Sequence, residues 1–265
     1  MTGQRASHID GEHVKQGLVI WGASGHALVV ADIIRLVNAY QIIGMIDDMD
    51  PKRAGSEFAG YKVLGGRERL DSLWQREVRT MIVGFGNCQG RLKVARFLRE
   101  QGFLLATAVH PRATVAADVS IGVGSVIVAG SVINPAAAIG ENVIINTGSS
   151  VDHECVIGDG VHIAPGAHLA AGVTVGRCSW VGIGSVVREG VHIGSDVMIG
   201  AGSVVLHDIP DRALAYGVPA RVVRQQVPAD DHAIYQQEKP SESASGACSD
   251  SWNLFPLTPL VEKSS

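Results

Sequence analysis

Residues 139–169 read IGENVIINTGSSVDHECVIGDGVHIAPGAHL. Every sixth place in this stretch is aliphatic: Ile139, Ile145, Val151, Ile157, Ile163 and Leu169. Followed outward, the same step reaches Ile133, Ile127, Ile121 and Val115 on one side and Val175, Val181, Val187, Ile193, Ile199 and Val205 on the other. Were Val, Ile and Leu about a quarter of a globular chain, sixteen consecutive hits would arise by chance on the order of once in a billion. A helix requires a period near 3.6 and a flat strand a period near 2, so a period of six predicts a short strand plus a corner, repeated as a solenoid with one side chain per step pointing inward.

A second series supports this. Four places after each aliphatic stand Val119, Ser125, Ser131, Ala137, Val143, Ser149, Cys155, Val161, Ala167, Val173, Ser179, Ser185, Val191, Val197 and Ser203, all small or β-branched, as narrow interior corners require. Directly after the aliphatic, Gly122, Gly140, Gly158, Gly176, Gly182, Gly194 and Gly200 alternate with Asn134, Asn146 and Asp152, types that tolerate unusual backbone angles. These glycines are therefore expected to serve structure first, at unusual backbone angles. The repeat resembles that of the hexapeptide-repeat family, and the resemblance implies a left-handed parallel β-helix, a three-sided prism with 18 residues per coil. It also implies homotrimers with acetyl-CoA in the groove between neighbouring prisms. The unbroken register from Val115 to Val205 predicts that no long loop leaves the prism.

Before the repeat, GLVIWGASGHALVVADIIRL reads as strand, Gly-rich turn and amphipathic helix, and QIIGMIDD as a second strand ending in Asp47 and Asp48. Gly22, Ser24 and Gly25 would let a phosphate or sugar approach a helix N-terminus, while the departure from G-x-G-x-x-G disfavours a dinucleotide. TMIVGFGN and a helix from about Arg91 to Glu100 complete an α/β unit of Rossmann-like βαβ type. The expected organisation is an extension over 1–17, a nucleotide-sugar-binding domain over 18–109, the β-helix over 110–224, and a loose tail over 225–265, rich in Pro, Ser, Glu and Ala, in which Trp252 and Phe255 are candidates for docking. A net charge of −4 across 265 residues without a basic run disfavours nucleic acid. No apolar run reaches the roughly 18 residues of a membrane span and no signal-peptide core precedes the first strand, so a cytoplasmic protein is expected. Cys88, Cys155, Cys178 and Cys248 lack the spacing of a zinc site or disulfide framework, and no metal is expected.

Chemistry has to come from side chains that leave the prism. His153 stands beside a corner, and Glu154 could accept from one ring nitrogen and set the tautomer of the other. His110, His168, His192 and His207 are read as packing or surface residues. The string NTGSSVDHECVIGDGVHIAPGA, with WGASGH, IDD and YGVPAR, closely resembles the NeuD/PglD-type sugar acyltransferases over residues 18 to 224. That resemblance implies His153 as catalytic base with Glu154 orienting it, Asn146 as an acceptor-contacting amide, and His162 beside the acyl-CoA thioester. It further implies that Ser24, Gly25 and His26 contact a nucleotide-linked sugar with Asp47 and Asp48 near its base. By the same resemblance Gly172 and Gly182 are expected to line the cofactor groove, and Gly217, Pro219, Ala220 and Arg221 to hold the CoA adenine and phosphates. A neutral imidazole suits removal of an amine proton during attack on a thioester, and because thiolate leaves readily no covalent enzyme intermediate is required. An amide N–H near Ala171 or Gly172 is the expected oxyanion donor. The expected activity is thus acetyl-CoA-dependent N-acetylation of a nucleotide-linked amino sugar. Alternatives are O-acetylation of a sialic-acid-like sugar, a zinc carbonic-anhydrase-like site drawing on His153, His162 and His168, and a non-catalytic trimeric scaffold.

Overall fold

The computed structural model describes residues 15–225; the extension before them and the tail after them, with Cys248, Trp252 and Phe255, lie outside the described residues. The chain opens with β1 (Gln16–Trp21), α1 (Gly25–Val37), β2 (Tyr40–Ile46), the short β3 (Glu57–Phe58), β4 (Tyr61–Gly65), α2 (Leu70–Gln75), β5 (Thr80–Val83), α3 (Cys88–Glu100) and β6 (Leu104–Leu105). The six strands form one sheet in the order β3-β4-β2-β1-β5-β6, parallel except for β3. This is the expected Rossmann-like unit. Its strand order reverses between β1 and β5, the place where an open α/β sheet leaves a crevice beyond the strand ends. The helix expected from about Arg91 begins at Cys88, because the Asn87 side chain accepts from the Gly90 amide at 2.6 Å and caps it three residues earlier.

From Ala108 onward the chain is a left-handed parallel β-helix. Face one stacks Ala108–Val109, Val126–Ile127, Ile144–Ile145, His162–Ile163, Trp180–Val181 and Met198–Ile199, closed by Ala213–Gly217 and its antiparallel partner Ala220–Gln225. Face two runs from Thr114–Val115 to Val204–Val205, and face three from Ser120–Ile121 to His192–Ile193. Each rung pairs in parallel with the residue 18 positions on, as Ile144 does with His162 and His162 with Trp180. The second residue of each rung fills the interior: Ile127, Ile145, Val151, Ile163, Val181, Ile199 and Val205 are fully buried. Burying such a side chain is worth about 1.5–3 kcal/mol, so this single file is the main apolar stabilisation of the prism. Corner serines are buried too, and satisfy their hydroxyls on carbonyls, as Ser179 Oγ does on Gly194 O at 2.6 Å and Ser185 Oγ on Gly200 O at 3.0 Å.

The corners correct one expectation. The left-handed residues do not directly follow the aliphatic; they come three places after it, in the series Gly124, Gly130, Ala136, Asn142, Gly148, Glu154, Gly160, Gly166, Gly172, Cys178, Gly184, Gly190, Asp196 and Gly202. The glycines directly after the aliphatic answer a different constraint, the approach of the next coil: a Cβ on Gly176 would lie 2.5 Å from the Gly194 carbonyl carbon and from the Ser195 nitrogen. At Asn134, Asn146 and Asp152 the side chain itself bonds: Asn134 Nδ2 donates to Asp152 Oδ1 at 2.7 Å, and Asn146 Oδ1 accepts from Thr147 N at 2.8 Å.

The α/β domain covers face one. Helix α1 lies between the sheet and the prism, with Ala27, Val30, Ala31 and Ile34 in one apolar cluster with Leu18, Ile20 and Met45 of the sheet and with Ala108, Val126 and Ile144 of the prism. On the other side of the sheet α2 and α3 supply Leu70, Leu73 and Leu98 to a second cluster with Val19, Trp21 and Met81.

The two kinds of corner glycine make separable demands. Gly176→Ala forces backbone apart between coils and should cost about 2 kcal/mol or more, whereas Gly190→Ala, in open space at φ +68°, should cost about 1 kcal/mol of left-handed strain. Thermal unfolding of the two variants should rank them in that order; equal midpoints would mean that coil-to-coil approach is not the limiting contact.

Candidate functional site

The turns that follow β1 and β5 both meet face one of the prism. Ser24 and Gly25, both exposed, start α1, and Ser24 makes no side-chain cap, so the first amides of the helix have no side-chain acceptor from their own cap. His26 follows, with its ring centroid 6.4 Å from that of His162, the outward residue of its face-one rung. His162 is buried, packs against Trp180 one coil on at 4.0 Å, and has Nε2 3.0 Å from Asn146 Nδ2. From the β5 side the turn at Gly86 closes over the same point: a Cβ there would stand 3.7 Å from Trp180 and 3.9 Å from His162. Three separate stretches thus bring His26, Gly86, Asn146, His162 and Trp180 together.

Electrostatics differ sharply among these groups. Burial first, and the Arg91 charge second, push the His26 ring down to about 4, so near neutrality it carries no charge, and its Nε2 is enclosed without a hydrogen-bond partner. Asp47 and Asp48 end β2. Asp47 is buried and accepts from Arg53 Nη1 at 2.6 Å, an arginine that also holds the Ala23 carbonyl at 2.7 Å beside the Ser24 turn. Asp48 takes Arg67 through Nε and Nη2 at 3.0 and 2.7 Å and accepts from the Arg67 amide. Both carboxylates therefore brace the crevice wall through arginines.

His153 lies elsewhere, at the corner between faces two and three. Its Nδ1 is 3.0 Å from Glu154 Oε2, and its side chain is 52 % exposed. Its amide donates to Asp152 Oδ1 at 2.7 Å, and Asp152 is held in turn by Asn134, whose bond together with that amide keeps the Asp152 carboxyl below the usual range. Glu154 occupies a left-handed corner position at φ +60°, which puts the two adjacent side chains on the outside of one tight bend.

Set beside known proteins, residues 17–98 match the PglD N-terminal domain, and residues 136–171 and 172–207 match the bacterial transferase hexapeptide (six repeats). PerB from Caulobacter crescentus, solved in complex with CoA and GDP-perosamine, is 39% identical, with the match covering 78% of this chain and 96% of PerB at a TM-score of 0.74. The chain belongs to the PglD-type hexapeptide acetyltransferases. It is accordingly an acyltransferase. Two further members agree: the acetyltransferase domain of PglB from Neisseria gonorrhoeae, solved with acetyl coenzyme A, is 35% identical over 79% of this chain and all of that one (TM-score 0.74), and WeeI from Acinetobacter baumannii is 25% identical over the same shares (TM-score 0.72). A comparison with curated protein sequences gave no match.

Within this family frame the remaining expected residues sort by place. Gly182 stacks two coils above Asn146 on the corner beside face one, with a would-be Cβ 2.5 Å from the Ile199 carbonyl oxygen. Gly217, Pro219, Ala220 and Arg221 form the terminal hairpin on that same face. Gly172 is corrected as an oxyanion donor, because its amide already donates to the His153 carbonyl at 2.9 Å. Cys155 faces inward with Sγ 3.2 Å from the Ala170 carbonyl oxygen, and burial raises its thiol. His110 caps its own turn by accepting from the Arg112 amide, while His168, His192 and His207 are exposed. His153, His162 and His168 occupy three different parts of the prism, and no group of three or more metal-ligating side chains converges among the described residues. Nor does any described helix have the length and apolarity to cross a membrane. Trp180 and Gly86 were not expected. Trp180 could have been found by adding one 18-residue coil to His162, whereas the docking of Gly86 has no periodic signal.

The depressed His26 gives a pH signature of definite sign. Its folded value lies below the ordinary 6.5, so the unfolded chain binds the extra proton first. The contribution is fully present above pH 6.5, falls away as pH drops toward about 4, and amounts to roughly 3 kcal/mol over that window. His26→Gln should therefore flatten the fall in unfolding temperature between pH 7 and pH 4.5; parallel curves for variant and wild type would show that His26 titrates normally.

Proposed function

We propose that the protein transfers the acetyl group of acetyl-CoA to the amine of a nucleotide-linked amino sugar by direct attack, with His153 as general base. The observation that carries this reading is the meeting of the α1 N-terminus and the Gly86 turn with His162 and Asn146 on face one of the prism. A substrate whose nucleotide fills the crevice would extend its sugar toward the prism, and PerB, similar along nearly its whole length, was solved with CoA and GDP-perosamine.

In this reading the uncapped start of α1 at Ser24 and Gly25 receives the diphosphate, whose charge suits a helix N-terminus. Neutral His26 faces the sugar, and the Asp47–Arg53 and Asp48–Arg67 pairs flank the nucleoside. On the prism, the corner that stacks Asn146–Gly148, Ala164–Gly166, Gly182–Gly184 and Gly200–Gly202 presents small residues with one exposed apolar side chain, Ile183, a track on which a pantetheine arm can lie. The track ends at the hairpin with Gly217, Pro219, Ala220 and exposed Arg221, suited to the adenine and phosphates. His162 and Asn146 then stand beside the thioester.

His153 is the remaining requirement, and it sits at another corner of the same prism. A homotrimer meets the requirement by setting the His153 corner of one copy against the Asn146 corner of its neighbour. Exposed Val156 and Val186, on the faces flanking His153, suit burial between copies. With Glu154 holding Nδ1, Nε2 is left to accept the amine proton as the carbon–nitrogen bond forms and CoA thiolate departs. A protein working on sugar nucleotides and acetyl-CoA belongs in the cytoplasm.

Thiol release from acetyl-CoA in the presence of GDP-, UDP- and TDP-linked amino sugars tests the reading. One of these should support turnover, and His153→Ala should lower kcat by about 10²- to 10⁴-fold with acetyl-CoA binding intact. Undiminished turnover in the variant would remove His153 as base, and transfer to free sialic acid alone would replace the amine acceptor by a hydroxyl.

A further inference from the structure

Arg91 is the largest fully buried side chain among the described residues, at 1% exposure, and its guanidinium donates to carbonyls and to the Cys88 thiol. The partners come from both domains. On the α/β side Nη1 donates to the Gly86 carbonyl at 2.5 Å. On the prism side Nε donates to Asn142 O at 3.0 Å, and Nη2 to Gly160 O at 2.8 Å and Val161 O at 3.2 Å, on two successive coils. Gly86 is also the residue that closes over Trp180 and His162.

Holding the two domains together does not require this arrangement. The apolar contact of α1 with Ala108, Val126 and Ile144 already does so, and a buried cation is costly where an apolar side chain of equal volume would serve. Apolar contact is non-directional, however, and allows sliding. A planar fork bonded to carbonyls on two coils and on the opposing turn does not.

We propose that Arg91 is a positioning residue for the transfer reaction: by tying the Gly86 turn to Asn142 and Gly160, it fixes the height of the acceptor-binding crevice over His162 and Trp180, so that the amine arrives in register with the acetyl group. The proposal rests on the acetyl-transfer reading above. In that reading the α/β domain alone holds the nucleotide, so loosening Arg91 leaves substrate binding in place and misaligns the reacting atoms. The loss belongs in kcat, because displacement of a bound reactant by about 1 Å can cost on the order of 100-fold in rate.

Arg91→Lys keeps the charge and most of the stem but lacks the fork. With GDP-perosamine as acceptor its kcat should fall about 100-fold, while KM for that acceptor and for acetyl-CoA stays within about threefold. Turnover of the methyl glycoside of perosamine, which is not tethered by a nucleotide, should match wild type. Equal losses on both acceptors, a loss carried by KM alone, or wild-type kinetics would overturn the proposal. Should Arg91→Lys fail to fold, Gly86→Leu decides the matter: a Cβ there already stands 3.7 Å from Trp180 and 3.9 Å from His162, so the longer side chain has no room beyond it and lifts the turn from its seat. It should lower kcat for GDP-perosamine by about tenfold or more, and an unchanged kcat refutes the role. A wild-type enzyme inactive on every GDP-, UDP- and TDP-linked amino sugar would instead sink the acetyl-transfer reading, and the role of Arg91 with it.

Discussion

The backbone ladder from coil to coil is the constraint on which the rest of the molecule depends. His162 N donates to Ser179 O at 2.9 Å, His168 N to Ser185 O at 2.8 Å and Thr174 N to Val191 O at 3.1 Å, and the same step recurs along all three faces. Parallel strands so paired stand about 4.8 Å apart, which leaves no room for a side chain where one corner crosses the next; hence the glycines at 140, 158, 176 and 194. The ladder also makes a side chain's place on the surface a function of its number. Residues 18 apart stack, so Trp180 lies on His162, and Asp152 on Asn134, with no loop needed to bring them together.

That property explains which features were legible in the sequence. The inward column from Val115 to Val205 could be read residue by residue because one apolar requirement acts at every sixth place. The left-handed corner position escaped reading because its requirement is conformational and several residue types meet it: Ala136, Asn142, Glu154, Cys178 and Asp196 share the series with glycines. Gly-rich columns next to the aliphatics were visible, but composition cannot tell a glycine needed for its φ from one needed for its missing Cβ. The His153–Glu154 pair was legible because both partners are adjacent in the chain. The meeting of His26, Gly86 and His162 was not, since the seating of an α/β domain on a flat prism face depends on shape and on Arg91, an arginine like any other in the helical pattern of α3.

A prism of this kind has limits as a binding protein. Its faces are flat, its interior is filled, and an unbroken register extrudes no loop to build a wall. Only the corners offer relief, and a stack of small residues such as Gly182, Gly184, Gly200 and Gly202 makes a shallow track suited to an extended, flexible ligand but not to a compact polar one. Recognition of a nucleotide needs converging strand ends and helix N-termini, which the added domain supplies between β1 and β5. Division of labour between the two architectures follows from what each backbone can build.

His153 is subject to the same limits. A general base must keep its ring orientation while remaining open to the acceptor, and the second corner achieves the first through Glu154 and through the Asp152–Asn134 brace. It cannot achieve the second alone, because face two separates that corner from His162 and Asn146, and the ladder forbids any bend that would close the distance. Under the proposed chemistry, catalysis and assembly are therefore one requirement: the stiffness that holds each catalytic side chain in place is what prevents one prism from forming the whole site, and a neighbouring copy supplies the missing half.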